Sequence, residues 1–388
     1  MVVKTIFKGL GAMGLMTALL VANAQETLKI GVLGGMTGPG APWGLAIDGG
    51  AKIAADEVNN AGGLEVGGKT YRLEVISYDD HYKAADAVTA VNRLIDQDQV
   101  KFILGPIGSA SLLAIKPITE KNKVVLLSNT YTTEALDAET RYMFRVLPTT
   151  NEYDAQLIGW LKQNRPAIKR VAILSPNDAT GWSTQKGKKK TYEGLGFEVV
   201  DARFFERTQN DFRTLLAGIL AKEVDLIELD VVPPAQAGLV IRQAREMGYK
   251  GPFTKFGGNN VAETVKAAGA ENAEGTLLYF SADPGSETFS NLSKAYAQYH
   301  SNAMDDFTFY FYDAARLLFA ALQKAGTTVD TDAVVAAIES EKSFDGIQGK
   351  IVWGGKETYG IDHQIATPAY LGVIEGGKGK VLAKFDAR

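Results

Sequence analysis

The chain has 388 residues, of which 46% are apolar and 22% charged, with 41 glycines, no cysteine and a formal net charge of −4. Such a length and apolar share exceed what one small core needs, so two globular lobes are expected. The negative charge argues against a polyanionic partner such as nucleic acid, and the absence of cysteine excludes both a disulfide framework and a cysteine-linked lipid anchor.

The first 24 residues differ from the rest. Lys4 and Lys8 precede an apolar run through Val21, which closes on Ala22-Asn23-Ala24. This reads as a secretory signal peptide with an A-x-A cleavage site, which makes Gln25 the expected mature N-terminus. Without it the chain carries 39 basic and 45 acidic residues, a charge of −6. Gly9-Leu10-Gly11-Ala12-Met13-Gly14 matches a dinucleotide fingerprint, but it lies inside the leader and opens no βαβ unit. No later run is long enough to span a bilayer, and the expected location is the periplasm, without an anchor.

From residue 28 strands and helices alternate. Strands are expected at 28–33, 71–77, 101–104 and 124–128, with helices at 44–60, 84–96 and 109–122 between them. The series restarts after Pro148, with helices at 152–163, 183–195, 212–222, 235–247 and 261–268. Strands are expected between them at 171–175, 197–203, 225–229, 252–256 and 275–280. Helices 286–299, 308–325 and 331–339 then precede strands 349–353 and 369–374. Alternation of this kind implies parallel sheets with helices on both faces. The expected fold class is therefore α/β, with two Rossmann-like lobes. The first lobe takes 25–146 and 282–352, the second 147–281 and 353–388, and several segments form the hinge.

In open parallel sheets, ligands sit beyond the carboxyl ends of strands. Two loops there are rich in hydroxyls, Gly105-Pro106-Ile107-Gly108-Ser109-Ala110-Ser111 and Ser128-Asn129-Thr130-Tyr131-Thr132-Thr133. Hydroxyls and free backbone N–H groups converging there suit an anion. The same residues also serve as caps and turns, so position carries the argument.

The order and spacing of several motifs resemble the type I periplasmic solute-binding proteins of the Leu/Ile/Val-binding kind, which serve ABC importers. The likeness rests on Ile30-Gly31-Val32 with Thr37-Gly38-Pro39 and Trp43-Gly44, then Ala55-Asp56-Glu57-Val58-Asn59, Gly62-Gly63 and Tyr78-Asp79-Asp80. Further on come the two hydroxyl loops, Ile241-Arg242-Gln243-Ala244-Arg245 and Ala273-Glu274-Gly275. The resemblance implies a clamshell that closes on its solute. By position it puts the carboxylate contacts at Ser109, with the amides of Ile107 and Gly108 beside it, and at Thr130 and Thr132 opposite. It puts an aromatic wall at Trp43 and the closing lobe at Thr180 to Trp182.

The sequence departs from that pattern where amino-acid binders hold the ligand's ammonium. An acidic residue is expected after strand 252–256, yet the loop reads Gly257-Gly258-Asn259-Asn260, and a nearby aromatic is replaced by Val231-Val232-Pro233-Pro234. A buried ammonium without its counter-charge is costly by several kcal/mol. Asp230 is the nearest carboxylate that could rescue it. Trp43, Tyr131, Trp182, Phe256 and Phe307 supply rings near the expected cleft. The preferred ligand is thus an aromatic acid of the benzoate, hydroxybenzoate or cinnamate type, with a branched-chain or other apolar amino acid as the alternative. His363, in Tyr359-Gly360-Ile361-Asp362-His363-Gln364, is a candidate for a ring substituent.

His81, His300 and His363 show no metal-ligand spacing, and neither a nucleophile elbow nor a P-loop is present, so no metal, cofactor or catalysis is expected. The expected partners are the small ligand and an inner-membrane ABC permease, for a monomeric protein. A sensory receptor reading the same rims and a periplasmic enzyme on small acids are the competing roles.

Overall fold

The computed structural model describes residues 25–387; the expected signal peptide and its glycine motif lie outside the described residues. Two sheets form the two lobes. In the first, strand Glu26–Gly34 runs parallel between Lys69–Asp79 and Phe102–Leu104, followed by Val125–Ser128, Met143–Arg145 and Gln364–Ala366. Antiparallel hairpins finish both edges, Leu64–Val66 on one side and Gly349–Gly354 with Ser343–Gly346 on the other. The second sheet orders Lys378–Phe385, Ala369–Glu375, Leu277–Phe280, Phe253–Lys255, Leu226–Leu229, Arg170–Pro176 and Glu198–Phe205. Central strands such as Phe102–Leu104, Val125–Ser128 and Leu226–Leu229 are buried along their whole length. Phe102–Leu104 and Val125–Leu127 therefore read as unbroken apolar runs, whereas Leu226–Leu229 carries the buried Glu228, which accepts from the Tyr192 and Thr254 hydroxyls.

The chain crosses between lobes three times. The first crossing follows Arg145, where Thr149 and Glu152 form a capping box that starts helix Thr150–Asn164, two residues before its expected beginning. The second follows Phe280, after which helix Phe307–Ala325 returns to pack on helix Ala41–Asn60. The third falls at Thr367 and Pro368. The first lobe therefore runs to Ala366, past the expected boundary at 352, because Val352 pairs with Ala366 and Gln364 with Arg145. Strand Gln364–Ala366 is only three residues long, too short to show a period.

Four further strands, Leu64–Val66, Met143–Arg145, Ser343–Gly346 and Lys378–Phe385, also lie outside the expected set. One apolar cluster passes from the first lobe through Tyr131, Tyr153, Phe256 and Phe307 into the second. Tyr153 stacks on Tyr279 there, with centroids 4.1 Å apart.

Candidate ligand-binding cleft

The carboxyl ends of both sheets face each other across the gap between the lobes. On the first lobe, Gly105 has φ +96°, and a Cβ there would lie 1.9 Å from the Leu33 carbonyl oxygen, so only glycine lets the chain turn this close to the neighbouring strand. The turn delivers Gly108 as the N-cap and Ser109 as the first residue of helix Ser109–Lys121. Such a residue has a backbone N–H that the helix itself leaves unpaired.

On the second lobe, Asp178 caps helix Ala179–Gly194 by accepting from the Gly181 N–H at 3.0 Å. The helix thus begins four residues before its expected start at 183 and carries Thr180 in its first turn. Two helix N-termini therefore meet. The Ser109 N–H donates to Thr180 Oγ1 at 3.2 Å, and the Thr180 hydroxyl donates to Ser109 Oγ at 2.9 Å. The lobes are closed on one another at this point, and both helix dipoles turn their positive ends toward it.

The 128–133 loop is held from beneath by Arg145, which is fully buried. Its Nη1 donates to the carbonyls of Thr130 at 3.2 Å and Thr132 at 2.7 Å, its Nε bonds Gln364 Oε1, and its guanidinium lies 4.6 Å from the Tyr359 ring centre. The Thr132 hydroxyl accepts from the Glu134 N–H and so caps a short turn. The hydroxyl of Thr130 and the indole N–H of Trp43 are both buried without a protein partner. Buried polar groups of this kind need an explanation, and a bound solute supplies one.

A narrow cavity of about 10 Å³ lies between these walls, lined on the first lobe by Trp43, Tyr82, Ile107, Tyr131 and Phe307 and on the second by Thr180, Val231 and Gly258. That is room for about one water, far below the roughly 300–1,000 Å³ of small-molecule sites, so a solute enters only when the closed lobes part. Among the expected residues, Trp43, Ile107, Tyr131, Thr180 and Phe307 meet here, with Gly108, Ser109, Thr130 and Thr132 in the loops that frame them. Burial pushes the Tyr131 hydroxyl well above its ordinary pKa and keeps it neutral, and it accepts from the Tyr153 hydroxyl at 3.3 Å.

Four expected residues lie elsewhere. Trp182 is 54% exposed, its indole turned to Asn177, because the helical turn from Thr180 carries it to the outer rim. His363 is buried in the first lobe, stacked on Phe144 with centroids 3.9 Å apart and bonded to the Met143 carbonyl and Glu339. Asp230 is buried beneath the second lobe's loops, where it accepts from Ser175 at 2.9 Å and Thr184 at 2.7 Å and stands 3.8 Å from Lys188. Burial raises its pKa to about 6 against the opposing pull of Lys188. It does not line the cavity and is not placed to rescue an ammonium. Gly257 lies one residue off the wall: its neighbour Gly258, at φ +60°, faces Trp43, and a Cβ there would lie 2.9 Å from the indole.

Four cleft residues lie outside the expected set: Tyr82, Val231, Gly258 and Arg207. Tyr82 follows the carboxyl end of strand Lys69–Asp79 and Arg207 that of Glu198–Phe205, so the strand-end rule that marks the hydroxyl loops would have marked these too. Arg207 pairs with Asp178, and its guanidinium carbon lies 4.4 Å from the Tyr82 ring centre and 5.7 Å from that of Trp43. No acidic side chain lines the cavity among the described residues.

A family model described as periplasmic binding protein matches residues 27–379. Among relatives, a Leu/Ile/Val-binding protein of Rhizobium johnstonii, BraC3, is 28% identical over 348 residues, covering 87% of this chain and 92% of that protein. Among solved structures, the branched-chain amino acid transporter substrate-binding protein LivJ of Streptococcus pneumoniae, in complex with isoleucine, matches with TM-score 0.78 and 25% identity over 94% of this chain and 99% of that one. A solute-binding protein of an ABC transporter from Rhodopseudomonas palustris BisB5, in complex with 3,4-dihydroxybenzoic acid, matches with TM-score 0.77 and 25% identity over 93% and 98%. The chain belongs to the periplasmic binding protein family, whose members bind solutes for transport and are not enzymes.

Proposed function

We propose that this periplasmic binding protein, exported by the segment ending at Ala24, captures a small aromatic carboxylate in its cleft and delivers it to an inner-membrane ABC permease. The observation that carries the reading is the charge of the cleft. Two helix N-termini converge on a ring-lined cavity that no acidic side chain lines among the described residues, while the Arg207 charge beside it is already met by Asp178. A carboxylate gains from such a field, whereas an ammonium would be buried there without a counter-charge. In this reading Ser109, Thr180 and the unpartnered Thr130 hydroxyl hold the carboxylate, and Trp43, Tyr82, Tyr131 and Phe307 enclose the ring.

The relatives named for leucine, isoleucine and valine supply the second reading, an apolar amino acid in the same cleft. The two liganded structures above match equally well, so overall likeness does not separate the two. A thermal-shift screen of Gln25 to Arg388 against benzoate, 4-hydroxybenzoate, cinnamate, leucine, isoleucine, valine and phenylalanine does, because a ligand bound only by the folded state raises the melting temperature. Stabilisation by aromatic acids alone is the expected result. Stabilisation by the amino acids alone would replace the first reading with the second.

A further inference from the structure

Within the cleft so read, we infer that Tyr82 and Arg207 form an interlobe latch that sets how readily the clamshell closes, independently of which solute it holds. Tyr82 stands where it does through an unusual turn. His81 and Tyr82 have φ of +49° and +58°, two successive left-handed residues without glycine. Two aspartates hold them there: Asp79 accepts from the His81 N–H at 2.7 Å and Asp80 from the Tyr82 N–H at 2.8 Å, while Asp79 also accepts from the Met36 N–H at 2.8 Å. Non-glycine residues in this region persist only where their surroundings over-determine them, and they cluster at functional sites.

The turn throws the Tyr82 ring out from the first lobe, 6.1 Å from the Trp43 ring centre, so that its hydroxyl lies 3.3 Å from both Thr180 Oγ1 and Arg207 Nη2 of the second lobe. Arg207 is prepared on its own side. Asp178 pairs with its Nε, and the Gln236 amide donates to the Arg207 carbonyl at 2.8 Å. The guanidinium's remaining contacts, the faces of Tyr82 and Trp43 and the Tyr82 hydroxyl, all belong to the first lobe. Opening the cleft breaks these contacts and leaves the Asp178 pair intact, so Arg207 keeps its orientation and meets Tyr82 again on closing. A cation held over two rings in a mostly buried setting is attractive whether or not a solute is present. Differential contacts of this kind are what shift an open–closed equilibrium.

The chain's lack of cysteine allows a clean test. Spin labels at Lys121→Cys and Lys186→Cys, exposed positions on helices of opposite lobes, report the interlobe distance by pulsed electron resonance in otherwise wild-type protein, in Tyr82→Phe, in Arg207→Met and in Arg207→Lys. Each is measured alone and with benzoate, its uncharged analogue benzamide, or leucine, and affinities are taken by calorimetry. The latch predicts a smaller closed fraction in Tyr82→Phe and Arg207→Met, partial recovery in Arg207→Lys, and about a tenfold loss of affinity of the same size for every solute that binds. A closed fraction equal to wild type overturns the latch. So does a loss confined to benzoate, which would make Arg207 a counter-ion for the carboxylate. If leucine is the solute that binds, the aromatic-acid reading fails while the distances and affinities still decide the latch. If no solute binds, the solute-free distances of wild type and variants decide it.

Discussion

At the scale of single residues, the cleft depends on Gly258. Its left-handed backbone and its approach to Trp43 leave no room for a side chain. Gly258→Ala adds a Cβ 2.9 Å from the indole and places a non-glycine residue at φ +60°. A left-handed conformation costs about 1–2 kcal/mol for an L-residue, and the contact must also be relieved by parting the lobes. The expected outcome is an affinity at least about tenfold lower, read by titration calorimetry, with the fold retained because the new methyl meets only the cleft. Ser109→Ala acts differently: it removes one hydroxyl and leaves the Ser109 N–H in place. It is expected to weaken carboxylate binding by roughly three- to tenfold, the value of one hydrogen bond of about 1 kcal/mol, while denaturant titration shows near wild-type stability. Unchanged affinity in Ser109→Ala would remove this residue from the site.

At the scale of elements, the supports of the cleft loops decide the geometry. Arg145 ties the 130–132 loop to Gln364 across a chain separation of more than two hundred residues, and it is fully buried. Arg145→Met leaves two carbonyls and an amide oxygen without their charged donor. Hydrogen bonds to charged groups contribute about 1.5–3 kcal/mol each, so a loss of several kcal/mol is expected in urea denaturation, together with weaker binding of every solute. Capping gives the contrasting case: Thr149→Ala removes half of a capping box remote from the cavity and should cost about 1 kcal/mol of stability with affinity unchanged.

The same scale shows what was legible in the sequence. Helices Ala84–Asp96 and Val261–Ala268 fall where their apolar spacing puts them, and the strands before the two hydroxyl loops announce themselves as apolar runs. Edge strands such as Lys378–Phe385 were missed, since their alternating exposure follows a glycine turn and carries few apolar residues. Trp182 was misplaced because a helix beginning at Ala179 turns it about 200° away from Thr180, which is invisible while the helix is thought to begin at 183. Tyr82 and Arg207 stand just past strand ends, which marks them as cleft positions, but their contact with each other forms only where the lobes meet, and no local pattern in either lobe encodes it.

At the scale of the whole molecule, charge buried within the lobes governs the response to pH. Burial raises the carboxyl pKa of Asp154 to about 7 and those of Asp230, Asp306 and Asp313 to about 6, in each case as the largest influence. In the second lobe Lys188 lies 2.9 Å from Asp154 and 3.8 Å from Asp230 and pulls both back only in part, since one ammonium also serves Glu228 at 3.7 Å. In the first lobe Asp313 accepts from the Ile347 N–H at 3.0 Å, and Asp306 from the Ser281 N–H at 2.8 Å.

These native values lie above the unfolded carboxylate value near 4, so between about pH 4 and 7 the folded state binds more protons than the unfolded one. Stability must then fall as pH rises through that window. Exposed acids such as Asp332, whose pKa Lys123 lowers to about 2, act in the opposite direction but lose their influence below pH 4, outside the window. Lys255 opposes the trend at the upper end. Burial lowers its pKa to about 7, so its unfavourable charge is present at neutral pH and below and is relieved only as pH rises beyond 7. The melting temperature is thus expected to be highest near pH 4–5, to decline toward pH 7, and to level off or recover above it. Differential scanning calorimetry at constant ionic strength measures this directly. Asp313→Asn should flatten the decline by the share of one carboxyl, because the amide oxygen still accepts from Ile347 and nothing there titrates. A melting temperature that instead climbs steadily from pH 4 to 7 would mean that these carboxyls are ionised and matched in the folded protein, with Lys188 and Lys255 as full counter-charges.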